Sequence, residues 1–293
     1  MSDFLETLKE LDINFTEEQA ERINTKINSI LSYTPRIGIF GKTGVGKSSL
    51  CNALFGKEIC KVSDIEACTR EPQDVLLEIG RGKGITLLDV PGVGENQERD
   101  LEYSELYQQL IPELDVILWV LKGDDRAFSV DIDFYKNVVK PHIEDRKPFV
   151  LVLNQVDKIE PFREWNVESR SPSQKQAVNI EMKLSGVANE FAVKRSIVVP
   201  VSADEKFGLT KLIDEIIFSL PDEKKLSFAK EVPEDNLSSE AKKEAEVSFS
   251  KVVSNTIAGA TSGASIGAKI AGPIGAKVGA VLGGIGGFFS SFW

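Results

Sequence analysis

The sequence predicts an α/β protein whose sheet is covered by helices on both faces, and two observations carry that prediction. From residue 36 to about 220, short β-branched runs alternate with amphipathic segments, the order in which strands and their covering helices follow one another. Most of the runs are also nearly continuously apolar, as strands buried on both faces must be. With 42% apolar and 27% charged residues over 293 positions, the composition is that of an ordinary globular protein.

The elements follow in order. TEEQAERINTKINSIL, residues 16–31, opens with a Thr-x-x-Gln capping box and places Ile23, Ile27, Ile30 and Leu31 at helical spacing. Pro35 ends it, so residues 1–34 read as an N-terminal helical segment. The strands are RIGIF (36–40), DVLLEI (74–79), GITLLDV (84–90), DVILWVL (115–121), PFVLVLN (148–154) and SIVVPVS (196–202). DVLLEI is more mixed and adjoins the Gly-rich RGKG, which marks it as an edge or antiparallel member. The main domain spans 35–220. After it, 221–251 is dense in charge without a core pattern and reads as a linker or solvated helix. Beyond Val252 only Lys269 and Lys277 are charged, which sets off a glycine-rich apolar tail, 252–293.

Several function classes recede on composition. A net charge of -10 disfavours broad capture of nucleic acid, which relies on a basic face. Cys51, Cys60 and Cys68 are odd in number and lack C-x-x-C spacing, so reduced thiols are expected rather than a disulfide framework or a zinc site. MSDFLETLKELD has no apolar h-region, so a cytoplasmic location is expected. His142, the single histidine, follows Pro141 and reads as a solvated helix-end residue. Trp119 reads as core.

The strongest chemical signal is GKTGVGKS, residues 41–48, directly after RIGIF and before the helical SSLCNALFG. It fits G-x-x-x-x-G-K-[ST] in the strand–loop–helix context that the motif requires. Gly41, Lys42, Thr43, Gly44, Val45, Gly46, Lys47, Ser48 and Ser49 would cradle phosphates, with backbone N–H groups and a helix N-terminus facing the anion. Lys47 would reach the β- and γ-phosphates, and Ser48 would hold magnesium. DVPG, residues 89–92, places Asp89 where it can hold magnesium through water and the Gly92 N–H where it faces a γ-phosphate. NQVD, residues 154–157, ends a strand with Asn154 and Asp157, whose carboxylate suits the N1–H and N2–H donors of guanine. SAD, residues 202–204, ends the last strand with Ser202 and Ala203, whose N–H would face guanine O6. Strand ends are where ligands of open α/β sheets bind.

Together GKTGVGKS, ACTREP, DVPG, NQVD and SAD resemble the five guanine-nucleotide motifs of the Era/TrmE/septin-like GTPases. GIFGKTGVGKSSLCNALFG, VSDIEACTREPQ, DVPGVGE and KGDDRAFSVD are similar to the small bacterial YfjP-like GTPases within that class. The resemblance covers residues 30 to 220 and excludes the tail. It implies a three-layer P-loop GTPase domain with a six-stranded, mostly parallel sheet, GTP and GDP as ligands, Mg2+ as cofactor, and Thr69 as the switch threonine on that ion. Three positions depart from the pattern. Val93 stands where Ras-type enzymes carry a water-orienting Gln, which implies slow hydrolysis unless dimerisation through the nucleotide face, a partner or K+ supplies the missing element. Gly44 stands where potassium-using relatives carry Asn, which argues against that ion. Gln155 replaces the more usual Lys, which implies weaker affinity. Arg70, Arg99 and Arg126 are the candidate arginine fingers.

In the tail, positions 259, 263, 267, 275, 279, 283 and 287 are Gly and 271 is Ala. On a helix this makes a stripe where another backbone approaches closely. Gly272-Pro273 divides the tail into two segments, and Phe288, Phe289, Phe292 and Trp293 suit a membrane interface. Membrane association through 252–293, self-association and a flexible tail stay open. The expected function is a slow, magnesium-dependent GTPase switch with that tail as attachment segment. The alternatives are a ribosome- or RNA-associated GTPase and a non-hydrolysing scaffold or membrane-active effector.

Overall fold

The computed structural model describes residues 16–56, 73–78, 84–89, 104–105, 107–144, 148–261, 289 and 292. In chain order its main elements are α1 (Glu17–Leu31), β1 (Arg36–Phe40), α2 (Lys47–Phe55), β2 (Gln73–Glu78), β3 (Gly84–Asp89), β4 (Val116–Lys122) and α3 (Ser129–Phe134). A π-helical turn (Tyr135–Val139) leads to α4 (Lys140–Glu144). Then come β5 (Phe149–Asn154), α5 (Gln174–Phe191), β6 (Val198–Pro200), α6 (Leu209–Ser219), α7 (Asp222–Ala229) and α8 (Ser239–Thr261). Thr69, Arg70, Gly92, Val93, Arg99 and the glycine stripe beyond residue 261 lie outside the described residues, as do residues 1–15.

The described residues divide into two compact units. The first, 34–220 with 231–238, holds the sheet. Its strands run in the order β2-β3-β1-β4-β5-β6, and every neighbouring pair is parallel except β2 with β3. The mixed strand is therefore the antiparallel edge, where a covering helix on each face is not required. β4 and β5 are buried along their apolar runs because each lies between two strands and under the cluster formed by Phe40, Tyr107, Trp119, Phe134, Leu184 and Phe191. β6 is shorter than its apolar run. Arg195–Ile197 forms a 3-10 turn instead, with the Arg195 guanidinium donating to Glu181 at 2.6 and 2.8 Å and to the Val198 carbonyl at 2.7 Å.

The second unit contains α1, α7 and α8. Here the reading of 221–251 as a linker or solvated helix needs correction. Leu226, Phe228 and Ala229 of α7 and Ala241, Ala245 and Phe249 of α8 are fully buried, and α1 contributes Ile23, Ile27 and Ile30. α7 and the residue that ends it also cap α1: Ser227 Oγ donates to the Ile30 carbonyl at 2.5 Å, and Lys230 Nζ donates to the Leu31 carbonyl. Phe289 is buried edge-on against Phe249, with ring centroids 5.8 Å apart. That contact places inside the unit one of the four aromatics read as suited to a membrane interface. Among the described residues no helix is long and apolar enough to cross a membrane.

Candidate nucleotide site

β1 runs straight into the glycine-rich loop, and the loop's path explains its glycines. Gly41 has φ 138°, and a Cβ there would fall 2.3 Å from the Val120 carbonyl oxygen. Gly46 has φ 87°, and a Cβ there would fall 2.6 Å from Asn154 Nδ2. Neither position has room for a side chain, and both use backbone angles that L-residues avoid. Gly46 is also the N-cap of α2, and no side chain caps that end, so the helix offers main-chain N–H groups where an anion would sit. Lys47 Nζ donates to the carbonyls of Gly41 at 3.0 Å and Lys42 at 3.1 Å. This curls the amine over the loop. Ser48 and Ser49 follow in the first turn, both half-buried.

The end of β5 meets this loop. Asn154, 1% exposed, donates from Nδ2 to the Val45 carbonyl at 2.9 Å and accepts at Oδ1 from the Ala203 N–H at 3.1 Å. One amide thus joins the loops that follow β1, β5 and β6. The Ala203 N–H, expected to face guanine O6, is given to Asn154 in this structure. Ser202 Oγ accepts from the Glu205 N–H at 3.2 Å and holds the same turn. Gln155, at φ 59°, donates from Nε2 to the Gly44 carbonyl at 3.3 Å and accepts at Oε1 from Lys158 Nζ at 2.8 Å. It therefore reaches the phosphate loop from the position where Lys is more usual.

Asp157 follows in a 3-10 turn, Val156–Lys158, whose backbone is fixed by Gln176 Nε2 donating to the Asp157 carbonyl at 3.0 Å. Its Oδ1 is buried and has no hydrogen-bond partner. From the other side of β1, the register pairs Ile39 with Asp89 at the end of β3, which brings the backbone of that residue level with the strand entering the loop. Arg126 is exposed between β4 and α3, and His142 is half-buried in α4.

Two features escaped sequence reading. Gly123 approaches so closely that a Cβ would lie 3.0 Å from the carbonyl oxygens of Asn154 and Gln155. More consequential is Asp131 in the first turn of α3, 1% exposed. Its Oδ2 lies 2.7 Å from Lys42 Nζ, and its Oδ1 accepts from the Trp119 indole N–H at 3.3 Å. Burial pushes the Asp131 carboxyl above its ordinary value, and the hydrogen bond and charge of Lys42 oppose that shift. In the sequence Asp131 closes KGDDRAFSVD, a stretch quoted above for its family likeness without any role for this residue.

Comparison with known proteins places the sequence among relatives. Residues 36–155 match the family model described as 50S ribosome-binding GTPase. YkfA of Escherichia coli (strain K12) is 44% identical over 204 residues, which cover 70% of this chain and 68% of that protein. YfjP of the same strain matches equally, at 44% over 204 residues. GTPase Era of Aquifex aeolicus (strain VF5) is 29% identical over 189 residues, 64% of this chain and 56% of Era. Among solved structures, a tyrosine-to-alanine variant of Aquifex aeolicus Era bound to GDP and AlF4- gives a TM-score of 0.49 at 26% identity, covering 64% of this chain and 57% of that one. The chain therefore belongs to the P-loop GTPases, in a family with YkfA and YfjP and related to GTPases Era and Der.

Proposed function

We propose that this chain is a magnesium-dependent guanine-nucleotide switch that hydrolyses GTP slowly and acts through its C-terminal segment. The observation that carries the choice of base is the buried, unpartnered Asp157 Oδ1. Buried polar atoms are almost always satisfied, so one in the turn that follows β5 supports a missing donor. Guanine offers N1–H and N2–H side by side, whereas adenine offers an acceptor and a C–H along the same edge. Asn154, already bonded to the phosphate loop, would keep Asp157 in register with the phosphates.

The oxygen donors fit magnesium. Ser48 lies in the first turn of α2 and Asp89 at the end of β3, and hydroxyl, carboxylate and phosphate oxygens are the hard ligands this ion prefers. Bound there, the ion would neutralise phosphate charge. Lys47 and the N–H groups of Gly44, Gly46 and Ser48 would stabilise the negative charge that builds on the transferring phosphoryl group. Val93, apolar where a water-orienting side chain is expected, supports slow hydrolysis unless a second copy or a partner completes the site.

Calorimetry on the purified full chain tests the reading. GDP and GTP should bind in the presence of magnesium, ADP and ATP should not, and Lys47→Ala should abolish tight binding. Equal affinity for adenine and guanine nucleotides would overturn it. Phosphate release that rises faster than linearly with protein concentration would assign the missing catalytic element to a dimer. Zero release despite tight GTP binding would favour a scaffold. A second reading, a ribosome- or RNA-associated GTPase, takes its support from the description of the matched family. Co-sedimentation with ribosomes that is lost at moderate salt favours it, whereas nucleotide-dependent flotation with liposomes favours attachment through 252–293.

A further inference from the structure

A chain of hydrogen bonds leads from the sheet core to the phosphate loop. The Trp119 indole N–H donates to Asp131 Oδ1, Asp131 Oδ2 holds Lys42 Nζ, and the Lys42 carbonyl accepts from Lys47 Nζ. Lys42 is therefore tied at both its side chain and its main chain, between a buried carboxylate and the lysine that would contact phosphate. Its neighbour Gly41 packs against the Val120 carbonyl, one residue beyond Trp119 on β4. The far side of this link is anchored too: Lys183 on α5 donates to the Asp125 carbonyl and lies 4.8 Å from the centroid of the Phe128 ring. The pair is also unlike a surface salt bridge. Asp131 is 1% and Lys42 24% exposed at the side chain, and breaking a buried pair leaves an uncompensated charge.

We propose that Asp131 is a positioning residue of the phosphate loop: by holding Lys42 it keeps the loop's entry backbone, and the acceptor that Lys47 leans on, in the phosphate-binding arrangement. Guanine-nucleotide affinity then depends on a side-chain ion pair that lies apart from the backbone N–H groups expected to face the phosphates. This rests on the reading of the loop as a nucleotide site and adds to it a residue outside the five guanine-nucleotide motifs, at the end of KGDDRAFSVD. The competing role for the pair is to neutralise a buried carboxylate for the sake of the fold alone. The two roles separate on whether affinity or only melting temperature responds.

The test uses the full chain as parent, Asp131→Asn, Lys42→Met, Lys42→Arg and the double variant Lys42→Met with Asp131→Asn. GDP and GTP affinities are measured by calorimetry with magnesium, and melting temperatures on the same samples without nucleotide. Asp131→Asn and Lys42→Met should each weaken both nucleotides by about tenfold, the worth of one charge-assisted hydrogen bond. The double variant should be no weaker than either single one, because both remove the same link. Lys42→Arg should retain affinity, since a guanidinium can pair with the carboxylate. Asp131→Asn binding within about twofold of the parent, with only its melting temperature lowered, overturns the proposal, and so do single effects that add in the double variant. Should Asp131→Asn fail to fold, the lysine variants decide: loss in Lys42→Met with retention in Lys42→Arg supports the link, and equal affinity removes it. A parent that binds no guanine nucleotide sinks the site reading itself, before any variant is compared.

Discussion

Asp157, whose Oδ1 is buried and unpartnered, is the residue we propose sets the base preference, so its replacement should act on recognition more than on folding. In Asp157→Asn the acceptor pair for N1–H and N2–H becomes half donor. The loss of one hydrogen bond and of the charge that assists the other should weaken GDP by about tenfold to a hundredfold or more. Inosine diphosphate, which lacks the N2 amine, should bind the parent less well than GDP, and the variant should no longer separate the two. Competition against a fluorescent guanine nucleotide measures both. A variant that still prefers GDP by the parent's ratio would assign the base contact elsewhere. At this scale NQVD and GKTGVGKS were legible because their residue types and strand-end placement carry their chemistry. The link between Lys42 and Asp131 was not. It joins residues far apart in sequence and depends on how β4 and α3 bring the carboxylate back to the loop, which no local pattern records.

Elements were legible where burial is two-sided. Strands such as FVLVLN announce themselves by continuous apolarity, and the mixed composition of β2 marked the edge strand. The charged stretch after Leu220 was opaque for a physical reason. α8 buries Ala241, Ala245, Ser248, Phe249, Val252 and Val253, a helical stripe whose first half consists of small or polar residues. α7 buries Lys225 and Ser227 beside Leu226 and Phe228. A lysine stem covers apolar surface as well as an aliphatic chain does, but counts as charge in a sequence pattern. Lys225 pairs with Glu244 and, at 3.7 Å, with Asp222, while Lys251 meets Asp222 at 2.6 Å. The hydrogen bond from Lys251 is the largest influence on Asp222, and with that of Ser248 and the nearby lysine charges it outweighs burial and holds the carboxyl below its ordinary 3.8. A depressed carboxyl favours the folded state above its unfolded value, and that contribution fades as pH falls through 3.8 towards the folded value. Asp222→Asn should therefore lower the melting temperature at neutral pH, and the gap from the parent should narrow on acidification from about pH 5 to pH 3. Thermal melts by far-UV circular dichroism record it. A gap of constant size would assign the effect to something other than ionisation.

Across the whole molecule the chain leaves the sheet unit at Leu220 and returns to it for Glu231–Ser238 before α8 begins. That return is what completes the helix of the phosphate loop. α2 ends in the left-handed Gly56, whose N–H bonds the Asn52 carbonyl at 3.0 Å, and Asn236 Nδ2 donates to the carbonyls of Ala53 at 3.1 Å and Leu54 at 2.8 Å. A helix leaves its last carbonyls without partners inside the helix, so here a segment lying between α7 and α8 in sequence supplies them. Ser238 fastens the same segment to Asp214 of α6 at 2.7 Å. Asn236→Ala removes both donated bonds and should cost about 1–2 kcal/mol, roughly 2–8 °C in melting temperature for a chain of this size. The missing bonds lie at the opposite end of α2 from Gly46, so GDP affinity should stay within about twofold and the rise in melting temperature on adding GDP should match the parent's. A matched rise means that the strap stabilises the helix without setting the phosphate contacts. A smaller rise in Asn236→Ala would mean instead that α2 transmits strain along its length, and that the segment between α7 and α8 reaches the nucleotide through it.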